Sequence, residues 1–261
     1  MPRLSFALVA HREQGYLEPL VASILEQAPA DIEIVAIDDA SPDHVPVLLD
    51  ELAERDQRLR VRHLPSRVGL GEGRNLALEM AEGEYAWFVR TTGLLPPGAL
   101  KAVLDRVDET QPDVLLVQHT RAATTGGGKP GPHGELLGRV AASGVVTLDA
   151  CPELARLAPG GQNKLFRRQF LTDLGIRFGS GGHSEVCVTW PALLAAARIA
   201  AEPSVACIGR TPPNAVRDEH VEGSPLDVFD RYEAVFAFIE AHPELPGDRR
   251  ELVAPAMLRH E

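Results

Sequence analysis

A chain of 261 residues, 44 % hydrophobic and 24 % charged, has the make-up of a globular protein with one large core, which excludes disorder, collagen and a disulfide-stapled miniature. With 37 acidic against 26 basic residues, the net charge of −11 argues against nucleic acid or broad electrostatic membrane binding, so a polyanionic ligand must be met by local basic groups. No apolar run approaches the roughly 18 residues of a membrane span, and Pro2 and Arg3 lead straight into an apolar strand rather than a signal peptide, so the expected location is cytoplasmic.

Short apolar runs at 4–9, 32–37, 60–64, 85–89 and 114–117 read as strands. Between them, residues 16–27, 46–55, 74–81 and 97–108 carry apolar side chains at three- and four-residue spacing, with Pro97 suited to a first helical turn. This alternation predicts an α/β class, doubly wound, with a mainly parallel central sheet flanked by helices. Residues 120–144 hold Gly126, Gly127, Gly128, Gly131, Gly134 and two prolines, and are expected to form a loop beside the site. Further on, 163–171 reads as a short basic helix, 190–200 as an apolar helix, 204–208 as a strand and 225–242 as a terminal helix. Trp190, Phe229, Tyr232 and Phe236 fall on helix faces expected to be buried. Cys151, Cys187 and Cys207 have no metal-ligand spacing and read as reduced thiols.

In an open parallel sheet, ligands bind beyond the carboxyl ends of the strands. The residues just past those ends are His11 and Arg12, Asp38 and Asp39, the stretch 65–75, residues 90–93 and residues 118–121. Carboxylates at 38 and 39 suit hydrogen bonds from a base or ribose; equally, Asp39 with Ser41 can cap the next turn. In Gly69-Leu-Gly-Glu-Gly-Arg-Asn75 the glycines permit close backbone approach to a ligand at a helix start, or simply make a tight turn. The spacing is not Gly-x-Gly-x-x-Gly and it follows the third strand, which disfavours a nicotinamide oxidoreductase.

Taken in order, Val9-Ala-His-Arg12 with Gly15-Tyr-Leu17, Ile37-Asp-Asp-Ala-Ser-Pro-Asp43, Gly69-Leu-Gly-Glu-Gly-Arg-Asn75 and Gly83-Glu-Tyr-Ala-Trp-Phe88 resemble the family 2 glycosyltransferases of the GT-A fold. The likeness continues through Gln162-Asn-Lys-Leu-Phe-Arg-Arg-Gln-Phe-Leu171, Ile176-Arg-Phe178 and residues 191–200. These later segments are similar to actinobacterial domains that precede a CDP-glycerol glycerophosphotransferase. The resemblance implies a GT-A domain over 1–215, with a nucleotide-binding half at 1–119 and an acceptor-side half at 120–215, followed by a C-terminal helical extension at 216–261. The chain reads as one such unit, or as an excerpt of something longer. By the same resemblance, Asp38 and Asp39 meet base and ribose, His11, Arg74 and Asn75 shape the nucleotide pocket, and Arg210 lies on a closing loop as a phosphate contact. Glu185 falls on the family's second acidic site as the candidate general base, taking the acceptor hydroxyl proton as the anomeric carbon is attacked from behind.

One departure stands out. Relatives follow the fourth strand with Asp-x-Asp, which holds Mg²⁺ or Mn²⁺; here the place reads Phe88-Val-Arg-Thr-Thr-Gly93, and no Asp-x-Asp occurs anywhere in the chain. Two threonines beside an arginine are a poor site for a hard cation, so no metal ligand and no cofactor is assigned. Arg90 is instead expected to neutralise the leaving diphosphate. Lys164 and Arg167, with Arg168, form a basic cluster that either meets phosphate or is a solvated helix face. The expected activity is sugar transfer from a nucleotide-diphosphate donor to a hydroxyl acceptor such as a wall polymer, polysaccharide or glycoconjugate. The rival expectation is a catalytically impaired module that binds a nucleotide or a partner enzyme, for which a glycerophosphotransferase is the candidate. Peripheral membrane association is compatible with either.

Overall fold

The computed structural model describes residues 1–121, 129–130, 133–210, 224 and 226–257. Its first half alternates strand and helix: β1 (Leu4–Ala10), α1 (Gln14–Leu25), β2 (Ile32–Asp38), α2 (Val45–Arg55), β3 (Leu59–His63), α3 (Leu70–Met80), β4 (Tyr85–Phe88), the two-residue β5 (Gly93–Leu94), α4 (Ala99–Thr110) and β6 (Val114–Arg121). The second half is less regular: β7 (Lys129–Pro130), α5 (Gly134–Ser143), two 3₁₀ turns, β8 (Lys164–Arg167), α6 (Arg168–Asp173), α7 (Val186–Ala195), β9 (Ile199–Gly209), α8 (Asp227–Ala241) and α9 (Arg249–Met257).

The strands form one sheet in the order β3-β2-β1-β4-β8-β6-β9-β5, with β7 on β6. Pairing is parallel across β3, β2, β1 and β4 and again between β6 and β9, but β8 enters antiparallel to both β4 and β6. The sheet is therefore mixed. Side chains alternate along a strand, so β1 feeds both faces: Leu4, Phe6, Leu8 and Ala10 join α1, α2 and α4 on one side, while Ala7 and Val9 join α3, α5 and α7 on the other. With every residue of β1 and β2 buried, the unbroken apolar runs are those of strands covered on both faces.

Several expectations change in the second half. Residues 163–171 are a strand followed by a short helix, because Leu165 and Phe166 are both fully buried, on opposite faces of the sheet, as a helix face would not place them. The apolar run 190–200 splits at Ala195 into the end of α7 and the start of β9; a short apolar run does not by itself distinguish buried helix from buried strand. Part of the expected loop 120–144 is the helix α5, which buries Leu137 and Val140, while Gly126, Gly127, Gly128 and Gly131 lie outside the described residues. Of the four aromatics expected in the core, Trp190 is buried and Tyr232 and Phe236 pack against it, but Phe229 is 60 % exposed near the start of α8. Helix α9, not expected from the sequence, sends Val253 and Met257 into the same core, and the buried Arg249 makes a two-pronged pair with Asp149 at 2.7 and 3.0 Å.

Candidate active site

Strands β1, β2, β3 and β4 are parallel, so the loops after them converge on one end of the sheet. An open cleft of about 450 Å³ lies there, lined by Val9, His11, Glu13, Asp39, Arg67, Leu70, Arg90 and Thr91. The loops are tied to one another. His11 Nδ1 donates to the Asp39 carbonyl at 2.9 Å, Arg12 N–H donates to Ser41 Oγ at 2.8 Å, and the Asp39 amide donates to the Ala10 carbonyl. Arg12 and Ala40 hold positive φ angles of 59° and 50°, and His183, two residues before Glu185, one of 56°. Left-handed backbone is disfavoured for residues with a Cβ; a fourth such residue, Gln111 with φ 41°, ends α4 away from the cleft.

The two adjacent aspartates separate. Asp38 is buried, takes the Ser41 amide on Oδ1 and pairs through Oδ2 with His63 Nδ1 at 2.9 Å, while His63 Nε2 reaches Asp50 at 3.0 Å. The Asp38 hydrogen bond, followed by that to Asp50, raises the His63 pKa above its ordinary value. Asp39 instead lines the cleft, and its carboxylate accepts the Val68 and Gly69 amides at 2.7 and 3.0 Å. It thereby shapes the turn that opens α3, where Gly69 has φ 91°. Gly71 is required for another reason: a Cβ there would collide with the Gly179 carbonyl and come within 2.9 Å of Ser184 Cβ. Asn75 is used up structurally, its side chain bonding both the amide and the carbonyl of Phe178.

Arg74 is buried, with its guanidinium 5.2 Å from the centre of the Phe178 ring and its Nη1 donating to Glu185 Oε1 at 2.7 Å. Burial pushes the Glu185 carboxyl up, but Arg74, assisted by Arg90, outweighs it and holds the group below the usual carboxylate range. The antiparallel course of β8 separates the basic cluster. Lys164 stands at the cleft end, fully buried, with Nζ donating to the carbonyls of Ala158 and Gly160 and to Asn163 Oδ1 at 2.7–3.2 Å. Burial lowers its pKa to about 7, opposed by Glu185. Arg167 pairs across from Tyr85 at the far end and is engaged by Asp113 and the Gln111 carbonyl; Arg168 bonds the Gly83 carbonyl there. The structure thus brings His11, Asp39 and Arg90 to the cleft lining and leaves Glu185, within electrostatic reach of Arg90, and Lys164 outside it, while Arg167 lies at the far end of β8. Glu13 and Arg67 are cleft residues that the sequence reading did not single out; Glu13 lies three residues past β1, where the post-strand rule needed only a wider window.

In the turn after β4, Thr91 Oγ1 donates to the Glu13 carboxylate. The Arg210 guanidinium, 4.9 Å from the Tyr16 ring centre, donates to the carbonyls of Tyr16, Thr91, Thr92 and Gly93. Oxygens of this turn that could ligate a cation are therefore taken by a cation already, and Arg90 adds a second. Among the described residues no group of three or more His, Cys, Asp or Glu side chains is placed to hold a metal. Residues 90–93 offer no carboxylate of their own and their carbonyl oxygens are engaged, so this turn does not fit Mg²⁺ or Mn²⁺, which need several oxygen ligands including carboxylate.

A mixed sheet of this order, with its cleft at the carboxyl ends of the first four strands, is the GT-A fold of glycosyltransferases. The chain belongs to Glycosyl transferase family 2, whose sequence profile matches residues 5–175. It is 30 % identical over 113 residues to glycosyltransferase GlyG of Streptococcus pneumoniae, covering 43 % of this chain and 38 % of that protein. It is 29 % identical over 121 residues to the poly(ribitol-phosphate) β-N-acetylglucosaminyltransferase TarS of Staphylococcus aureus, covering 45 % of this chain and 21 % of TarS. In these alignments the chain spans less than half the length of the curated relatives it matches. The structure of TarS residues 1–349 with UDP-GlcNAc superposes with a TM-score of 0.79 at 23 % identity, over 99 % of this chain and 72 % of that one. A mannosyltransferase from Pyrobaculum calidifontis, in complex with GDP-Man and Mn²⁺, gives 0.62 at 20 % identity, over 99 % and 74 %. Among the described residues no helix is long and apolar enough to cross a membrane.

Proposed function

We propose that this protein transfers a sugar from a nucleotide-diphosphate sugar to a hydroxyl acceptor, with inversion at the anomeric carbon, in the synthesis of a wall polymer, polysaccharide or glycoconjugate on the cytoplasmic side. The observation that carries this reading is a GT-A cleft lined by a carboxylate, Asp39, and an exposed guanidinium, Arg90, with a second carboxylate, Glu185, outside the lining but within electrostatic reach of Arg90. Asp39 and His11 face the nucleoside, and Asp38, Arg74 and Asn75 support the pocket from behind. Glu185 takes the proton as the acceptor oxygen bonds to the anomeric carbon. The bond from that carbon to the diphosphate breaks, and its electron pair leaves with the diphosphate. Arg90 stabilises that charge, with Arg67 alongside, because a guanidinium meets phosphate through two parallel hydrogen bonds. Arg210 acts indirectly by fixing the turn that carries Arg90, and Lys164 supports the 158–163 segment.

On this reading Asp-x-Asp has been lost and its charge role inverted. The later segments support kinship with domains linked to CDP-glycerol glycerophosphotransferases, which makes such an enzyme the candidate partner. The division into a nucleotide half at 1–119, an acceptor half at 120–215 and an extension from 216 is part of the same proposal. Glu185→Gln is expected to reduce transfer at least about 10²-fold while UDP or GDP binding, measured by calorimetry, changes little. Unchanged turnover would remove Glu185 as base. A second reading, a binding module without transfer, is favoured by one feature: Glu185 is already neutralised by Arg74. Donor binding without turnover of UDP-, GDP- or CDP-linked sugars, with and without Mn²⁺, would establish it.

A further inference from the structure

The pair formed by Arg74 and Glu185 joins α3 of the first half to the start of α7, across 111 positions of sequence. Neither residue is among those lining the cleft, but the Arg74 side chain is 1 % exposed and that of Glu185 22 %. The Phe178 ring lies against the guanidinium, and a Cβ on Gly161 would come within 3.7 Å of its Cζ and Nη2. Among the described residues Nη2 is buried without a hydrogen-bond partner, so the one charge-assisted bond of this guanidinium is spent on Glu185. An arginine so enclosed is not displayed to a nucleotide. We propose that Arg74 is a positioning residue for Glu185, holding the carboxylate by one oxygen from the buried side so that the rest of the group is offered to an acceptor hydroxyl, and is not a donor contact.

This rests on the reading of Glu185 as base. Among the described residues the charged groups acting on Glu185 are Arg74 on α3, Arg90 after β4 and Lys164 on β8, and of these three Arg74 is the one hydrogen-bonded to it. Removing Arg74 takes away the strongest of these influences, so protonation of Glu185 is expected to move to higher pH.

The test is a carboxyl ¹³C NMR titration of the full chain, with the Glu185 signal assigned by its loss in Glu185→Gln, run on the parent, Arg74→Lys and Arg74→Gln. The expected result is an upward move of the Glu185 titration by about one pH unit or more in Arg74→Gln and less in Arg74→Lys, with the Kd for UDP and GDP changed less than about threefold. The acid limb of transfer should move in parallel. An unmoved Glu185 titration, or a tenfold weaker nucleotide Kd with that titration unmoved, would overturn the proposal. Should Arg74→Gln not fold, Glu185→Gln decides: it leaves a buried guanidinium without its counter-ion and is expected to lower Tm, and an unchanged Tm overturns the pairing. Failure of the parent to transfer sugar, with the titration moving as expected, would instead count against Glu185 as base and leave the pairing established.

Discussion

Asp38 and Asp39 are neighbours of identical chemistry with different work, and the difference lies in what each carboxylate can reach. The alternation of β2 aims Asp38 at His63 and Ser41, while Asp39, one residue past the strand, takes the Val68 and Gly69 amides and borders the cleft. The capping expected of Asp39 with Ser41 falls to Asp38, while Asp39 holds a different turn at the border of the cleft. His63 follows with a pH dependence. Its folded pKa is raised, so its pairing contributes stability that is fully present below the unfolded value of about 6.5 and is lost as pH rises through the folded value. His63→Gln is expected to lower the urea midpoint more at about pH 5.5 than at about pH 8.5. An equal loss at both would mean that His63 is not charged in the fold. Glu185 was legible as a candidate from its motif, but its partner was not, because no local pattern announces a pair separated by 111 positions.

At the scale of elements, the glycines before Asn75 prove to be a packing device. Helix α3 approaches the 178–184 segment closely enough that Gly71→Ala should cost about 1–3 kcal/mol through overpacking, read as a fall in Tm. Wild-type stability in that variant would show that the two segments can part. Asn75→Ala strands the Phe178 amide and carbonyl together, and a loss of about 1–3 kcal/mol is expected in urea unfolding. These contacts matter for the site because the same segment leads into Glu185. The widest difference between pattern and fold is at β8. A basic helix over 163–171 would gather Lys164, Arg167 and Arg168 in one cluster, whereas the antiparallel strand carries Lys164 and Arg167 to its opposite ends. Lone apolar pairs in a short basic stretch cannot reveal whether the neighbouring strands leave a slot between them.

For the molecule as a whole, the net charge of −11 conceals a cleft where Arg67 and Arg90 accompany Asp39 and Glu13. If guanidinium groups replace the metal, transfer from a UDP- or GDP-linked donor should survive EDTA, and Arg90→Gln should lower kcat/KM about 10²-fold. Loss of activity on chelation and recovery with Mn²⁺ would refute that assignment. The amino-acid order alone determined the alternating α/β half, the first four strands to within a residue or two and the start of the 114–121 strand, the family likeness and the absence of Asp-x-Asp, since these depend on local periodicity and contiguous motifs. Only the tertiary structure decided that β8 is inserted antiparallel, that Arg210 grips the turn at 91–93 and that Arg74 pairs with Glu185. Those features depend on which distant segments are packed together and on which polar groups are left in need of partners once water is excluded, and neither is written in any short stretch of chain.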